Sequence, residues 1–392
     1  MTTIKLPPSL LPRRPPQYEV WREIHPSFVS AYDAILNAER HANEQATFDP
    51  EAKDNLISAR VAGYLLLELY SRRTILSDRP SLSFVNSILS PSHCAGGGPV
   101  DTVFEVGKFY RNILLRMFRT VNTRYPRPSS HPSRPSFATL QDMTRDCMMA
   151  DGNSYGASRR KALARDGFRC MLTGVFDLTT TRQSEELTQM RNDLSTSSAI
   201  VQTSHILNES TMQDIDTQEG GEEVTMLNNT EYAANAMSIL RDFGLESIVT
   251  KLLEANGVHN LWNLLSLTTD FQHFFNRLEL WFESTGEPDR YNVCVSDIGH
   301  ERYLRSFRHL REDVDRLSVT FSSNDTNAQL PNPKLLSLHA ACARVLHMSG
   351  AAEAFDELER EAEGTTVLAF DGSSARLLDQ LMFPLAMVPG IV

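Results

Sequence analysis

The chain has 392 residues, 41% hydrophobic and 22% charged, an ordinary globular composition spread over more length than one small core needs. Its formal net charge of -11 argues against a protein that coats nucleic acid non-specifically. No apolar run reaches the roughly 18 residues of a membrane span, and Met1 to Pro16 has no apolar stretch of the kind a secretory signal carries.

Residues 1–25 are proline-rich and read as an irregular tail. Apolar residues at helical spacing follow in Phe28–Arg40 and Leu56–Tyr70, where Ile57, Val61, Leu65 and Leu69 recur. Ser81–Leu89 reads as a short helix, Gly96-Gly97-Gly98 as a loop, and Val103–Val121 as an amphipathic helix. Together 26–125 form a helical amino-terminal unit, and the prolines and serines of 126–136 a linker. Ser158–Asp166 reads as a helix stopped by Gly167. Phe168–Leu172 and Ser198–Thr203 are candidate strands separated by a polar insert, Thr179–Ser197. A second insert, Asn208–Gly257, carries helical patterns at Glu231–Asp242 and Leu245–Asn256. Asn263 lies in a loop before a helix at Thr269–Asn276, and Leu278–Glu283 with Tyr291–Val295 reads as a hairpin turning at Gly286-Glu287-Pro288. Helices at Pro333–His347 and Ala352–Glu361 and an apolar tail from Leu377 make 296–392 a helical extension.

Charge is uneven along this order. Basic residues run from Lys108 to Arg145 and on through Arg159, Arg160, Lys161, Arg165 and Arg169, whereas Glu185 to Glu223 is acidic. The last five are candidates to meet phosphates; a solvated helix face explains the same run. The five cysteines are scattered without close pairs, which favours reduced thiols in an intracellular compartment, nucleus or cytoplasm, and excludes a CxxC zinc knuckle.

Three short stretches carry chemistry. They are Arg165-Asp166-Gly167-x-Arg169-Cys170-x-x-Thr173-Gly174, then Ser204-His205, then Asn263 with Gln272-His273-Phe274-Phe275-Asn276. A histidine at a strand end suits a general base, because the strand fixes its direction while its second nitrogen is held by a neighbour. Taken singly, His205 is a half-buried histidine, Asn263 a cap or turn residue and Gln272-His273 the polar face of a helix. Their order is what distinguishes them.

That order resembles the HNH nuclease family, in the branch common in fungal genomes that carries RDG-x-RC-x-x-TG instead of a zinc-binding CxxC. The resemblance covers roughly residues 155–295 and implies an α+β fold, a mostly helical chain around a small ββα-metal core. It implies hydrolysis of DNA phosphodiester bonds with one divalent metal ion, Mg²⁺ or another, and DNA rather than a membrane as partner. Carried over, His205 is the base, Asn263 the loop brace and the helix histidine the metal ligand, while Cys170, Thr173 and Gly174 shape a structural corner. Two positions depart from the pattern. Counting nine residues on from Asn263 puts Gln272 where the metal histidine belongs, with His273 one step late, about 100° round a helix. Either the helix start is shifted and His273 serves, or the metal position has been lost, since a glutamine amide oxygen is a weak ligand. Asp270 and His259 are nearby substitute ligands, and Ser204 stands where nucleases of the wider fold often place Asp or His. The alternative to a metal-dependent endonuclease is therefore a catalytically degenerate scaffold that binds protein or nucleic acid. His339 and His347, set among leucines, read as packing residues.

Overall fold

The computed structural model describes residues 7–46, 49–90, 98–120, 139–150, 155–209, 223–254, 257–306, 317–325 and 328–364. The expected linker at 126–136 and the apolar tail from Leu377 lie outside them. The fold is α+β, with helices predominating and short sheets between them. No helix among the described residues is long and apolar enough to cross a membrane.

The chain divides into two compact units, each discontinuous. One comprises Met1–Lys5, Phe118–Glu209 and Thr250–Ala340; the other Leu6–Met117, Ser210–Val249 and Ala341–Val392. The sequence suggested contiguous units instead, and the difference has a physical cause. The apolar face of the inserted helix Glu223–Asp242 finds its core among the amino-terminal helices, where Arg116 lies over the Tyr232 ring and Tyr110 stacks on Phe243 just beyond the helix end.

In that helical unit, Pro26–Gln45, Pro50–Ser71, Arg79–Leu89 and Pro99–Tyr110 form where the apolar periodicity placed helices. Asp49 caps the second by accepting from the Glu51 N–H. A further helix, Tyr18–Ile24, occupies part of the proline-rich stretch read as irregular, and its Trp21 packs edge-on against Tyr32 and Tyr70. Gly107 is required by close approach: a Cβ there would stand 2.1 Å from the Ser58 carbonyl oxygen. Glu39, buried in this unit, takes the Arg60 guanidinium and the Leu11 N–H.

Among the described residues, every strand lies in the other unit. Helix Tyr155–Arg165 stops at Gly167, φ +64°, followed by Phe168 at φ +58°. Two successive left-handed residues reverse the chain, so the strand expected over Phe168–Leu172 does not form; a single bridge, Arg169 to Phe176, replaces it. The chain instead tightens into a turn in which Cys170 N–H donates to Val175 O at 2.9 Å and Gly174 N–H donates to Cys170 O at 2.8 Å. Strand β1 (Phe176–Asp177) pairs parallel with β2 (Ser198–Ala199). The polar insert between them is helical, Leu178–Thr181 and Glu185–Asp193, capped by Asp177 and Ser184.

Strand β3 (Val201–His205) pairs antiparallel with β4 (Leu264–Thr268), His205 standing opposite Leu264. β4 was not anticipated. Helices Tyr155–Arg165 and Thr269–Asn276 both pack on it, all five of its residues are buried, and the alternation that marks a half-exposed strand is lost. The Thr269–Asn276 helix follows directly. An antiparallel sheet of β5 (Leu280–Ser284), β6 (Arg290–Val295) and β7 (Ser318–Thr320) completes the unit, the first two forming the expected hairpin. His339 packs as the sequence suggested, stacked 3.9 Å from the Phe275 ring with Nε2 3.2 Å from the Phe275 carbonyl.

Candidate functional site

The site is framed by β3, β4 and the helix that follows them, and the RDG-x-RC-x-x-TG stretch holds that frame from behind. Arg165 is fully buried, and its guanidinium donates to the carbonyls of Leu261 (2.7 Å), Leu264 (2.9 Å) and Gln329 (3.2 Å). Asp166 neutralises it at 2.6 Å, a planar pairing that satisfies both ions away from water. Gly167 sits at φ +64°, a left-handed conformation that strains any L side chain, and a Cβ there would also displace the Asn324 amide. Met171 N–H donates to Ser266 O at 2.8 Å, tying the corner onto β4. Within it, Cys170 Sγ accepts from the Thr173 N–H at 3.4 Å, and burial pushes its thiol pKa up. Cys170, Thr173 and Gly174 thus shape backbone.

Arg165 is therefore a strut, and the nucleic-acid role considered for it does not fit its burial. Arg159 is also turned inward, donating to Val201 O at 2.8 Å and facing Asp177 at 3.4 Å. Arg169 lies over the Phe176 ring at 4.2 Å. Arg160 and Lys161 remain half-exposed on the helix.

Asn263 braces the loop closure. Fully buried, it accepts the Leu207 N–H on Oδ1 at 2.8 Å and donates through Nδ2 to Leu207 O (3.1 Å) and Val258 O (2.9 Å). One side chain so fixes the end of β3 against the turn before β4, because those backbone groups have no ladder partner at the strand ends.

His205, at the end of β3, places its Nε2 2.9 Å from the Nδ1 of His259. The other nitrogen of His259, Nε2, lies 3.5 Å from a carboxylate oxygen of Glu209. The Tyr155 ring flanks both imidazoles at 6.3 and 6.5 Å between centroids. Burial first, then His259, pushes the His205 pKa down to about 3. Burial also lowers that of His259, with Glu209 opposing. Both rings are neutral near pH 7, as a proton acceptor must be. The sequence offers His259 only as a substitute metal ligand and does not mark Glu209. Their one sequence signal is position: each stands four residues inside the span from His205 to Asn263, Glu209 after His205 and His259 before Asn263.

The neighbouring residue of β3 meets different chemistry. Ser204 donates its hydroxyl to Asn276 Oδ1 at 2.5 Å. Gln272, one turn earlier on the same helix and 7% exposed, donates through Nε2 to Thr203 O at 2.9 Å. Its Oε1 is buried and has no hydrogen-bond partner among the described residues. His273 points elsewhere: it is exposed, with Phe274 as its ring neighbour, and His205 takes His259 as its nitrogen partner. Asp270 is occupied by the Tyr303 hydroxyl at 2.8 Å. The position implied for a metal thus offers a hydroxyl and two neutral amides, with Gln272 Nε2 and Asn276 Oδ1 already committed to β3. That donor set lacks the carboxylate or imidazole a divalent ion requires and does not fit one. Among the described residues, no group of three or more His, Cys, Asp or Glu side chains is arranged to hold a metal ion.

Compared with known proteins, the chain matches no family model, no curated protein and no solved structure.

Proposed function

We propose that the chain carries a ββα frame of the HNH type whose metal position has become a neutral brace, and that it works as a scaffold binding protein or nucleic acid rather than as a metal-dependent nuclease. The observation that carries this reading is the pair of bonds from helix to strand, Gln272 Nε2 to Thr203 O and Asn276 Oδ1 to the Ser204 hydroxyl. Where a nuclease of this type needs charge to neutralise a phosphate, these residues bring none. What supports the family reading is the strand ending in His205, the Asn263 brace and the Thr269–Asn276 helix, in the order the resemblance gives them, with β4 pairing to β3 where the resemblance put the strand Phe168–Leu172.

The second reading, a metal-dependent endonuclease cutting DNA with His205 as base, is favoured by the neutral, anchored imidazole of His205 alone. Supercoiled plasmid incubated with the purified full chain separates the two. The scaffold reading expects intact plasmid with Mg²⁺, Mn²⁺, Ni²⁺ or Zn²⁺; nicking that disappears in His205→Ala favours the endonuclease instead.

A further inference from the structure

We propose that the helices Pro26–Gln45 and Pro50–Ser71 carry a peptide-binding groove for an extended Ser-x-Leu-Pro segment. Residues 9–12 are its built-in ligand, displaced when a partner protein presents a segment of the same chemistry. This goes beyond the scaffold reading and draws on none of the residues around β3.

Side chains, rather than a sheet, hold this stretch of backbone. Residues 7–12 form neither helix nor strand, so their N–H and C=O groups have no ladder partner. Ser9 N–H donates to Met348 O at 3.0 Å. The Tyr64 hydroxyl shares its hydrogen between the carbonyls of Ser9 (3.1 Å) and Leu10 (3.0 Å), which leaves it to accept from the Ser9 hydroxyl at 2.7 Å. Leu11 N–H donates to both carboxylate oxygens of Glu39, at 3.1 and 3.3 Å, and the Tyr32 hydroxyl donates to Pro12 O at 2.7 Å. Glu39, Tyr32 and Tyr64 are themselves buried, and the Arg60 guanidinium fixes the carboxylate at 3.0 Å. Tyr32 and Glu39 share one face of their helix, Arg60 and Tyr64 one face of theirs, so two packed helices present the whole row.

One side chain of the segment is recognised and its neighbour is not. Leu11 is 4% exposed and Leu10 60% exposed. Leu11 lies against Gly63, where a Cβ would stand 2.4 Å from Leu11 Cδ1. Glycine is disfavoured inside a helix, and here it opens the floor of a leucine pocket. Proline suits the next position, because it has no N–H to leave unbonded and biases the leucine before it towards extended backbone. Backbone bonds joined to one side-chain pocket can be satisfied by any chain that supplies the same atoms. Departure of residues 7–12 uncovers one buried side chain, Leu11, and no helix has to open. Their advantage over a partner's segment is the tether, which acts as a high effective concentration.

The probe is a fluorescent peptide copying residues 7–14, titrated by anisotropy into the full chain and into full-length Leu11→Asp. The carboxylate of that variant meets Glu39 at the pocket mouth, so its own segment leaves the groove vacant. The expected result is saturable one-to-one binding to Leu11→Asp, at least about 10-fold tighter than to the unaltered chain, whose groove is free only part of the time. A peptide carrying the same Leu11→Asp change should lose that binding. Equal affinity for the two chains overturns the proposal, as does no binding by a Leu11→Asp chain whose circular dichroism shows it folded. So does uptake only by a chain dimer in sedimentation, which assigns the groove to residues 9–12 of a second copy. A further measurement needs no variant to fold: in the unaltered chain, excess peptide should speed hydrogen exchange at the Leu11 amide, and unchanged protection overturns the proposal. None of these results bears on plasmid cutting or on the Gln272 brace, so the scaffold reading stands or falls separately.

Discussion

Adjacent residues of β3 face two different chemistries. His205 meets a second imidazole, His259, which in turn faces the Glu209 carboxylate, so this side gathers titratable groups. Ser204, pointing the other way as strand neighbours do, meets the Asn276 amide, and the Thr203 carbonyl beside it accepts from the Gln272 amide, groups that only hydrogen-bond. Side by side on one strand stand a titratable histidine with a second imidazole and a carboxylate, and a neutral amide network. On this strand the titratable cluster sits on one side, and the amides on the other are occupied by bonds that fasten helix to sheet. The frame beneath both is the same, Arg165 behind and Asn263 at the loop, so altering that frame should disturb both sides at once.

Arg165→Leu is expected to have the largest effect. It strips the donors from the Leu261, Leu264 and Gln329 carbonyls and leaves Asp166 a buried carboxylate without its partner. Breaking a buried pair from one side costs about 3–5 kcal/mol, and chemical denaturation should show that loss in the unit carrying the site. Asn263→Ala comes next. Each of the Leu207 and Val258 groups it leaves bare costs about 1–3 kcal/mol, and the His205 and His259 signals should both shift, because the loop carrying Glu209 is released.

Acid should act on the His205 side and spare the amides. His205 and His339 have folded pKa values pushed down to about 3 from an ordinary 6.5, so the unfolded chain binds more protons between these limits. Their contribution is fully present above pH 6.5 and is lost as pH falls towards 3. Denaturant midpoints measured across that window should fall with pH, and His339→Phe, which keeps a ring stacked on Phe275, should flatten part of the slope. The smallest effect is expected of Arg160→Glu. On a half-exposed position it should change stability by no more than about 0.5 kcal/mol, in contrast to its neighbour in the same basic run, Arg165.

That contrast also marks where sequence reasoning ran out. Periodicity located the long helices because each buries one stripe, and it located the β5–β6 hairpin because its strands are bounded by a turn. It missed β4, whose LLSLT run is buried on both sides, and it drew Phe168–Leu172 as a strand because left-handed Phe168 has no signature in residue type. Arg165 looked like a surface charge, since the carbonyls that satisfy it lie about 100–160 residues away and only folding brings them near. His205 and Asn263 were recognised by order. Glu209 and His259 acquire meaning only once Asn263 has closed the loop between them. Gln272 departs from the expected histidine register in the sequence, but that its amide holds the Thr203 carbonyl is not written in the spacing.

The most direct test of the neutral brace is calorimetric titration of the full chain and of the Gln272→His, Asn276→Asp double variant with Mn²⁺, Ni²⁺ and Zn²⁺. The account predicts no saturable heat from the unaltered position and stoichiometric uptake once an imidazole and a carboxylate replace the two amides. Saturable one-to-one binding by the unaltered protein, abolished by Gln272→Ala, would contradict it.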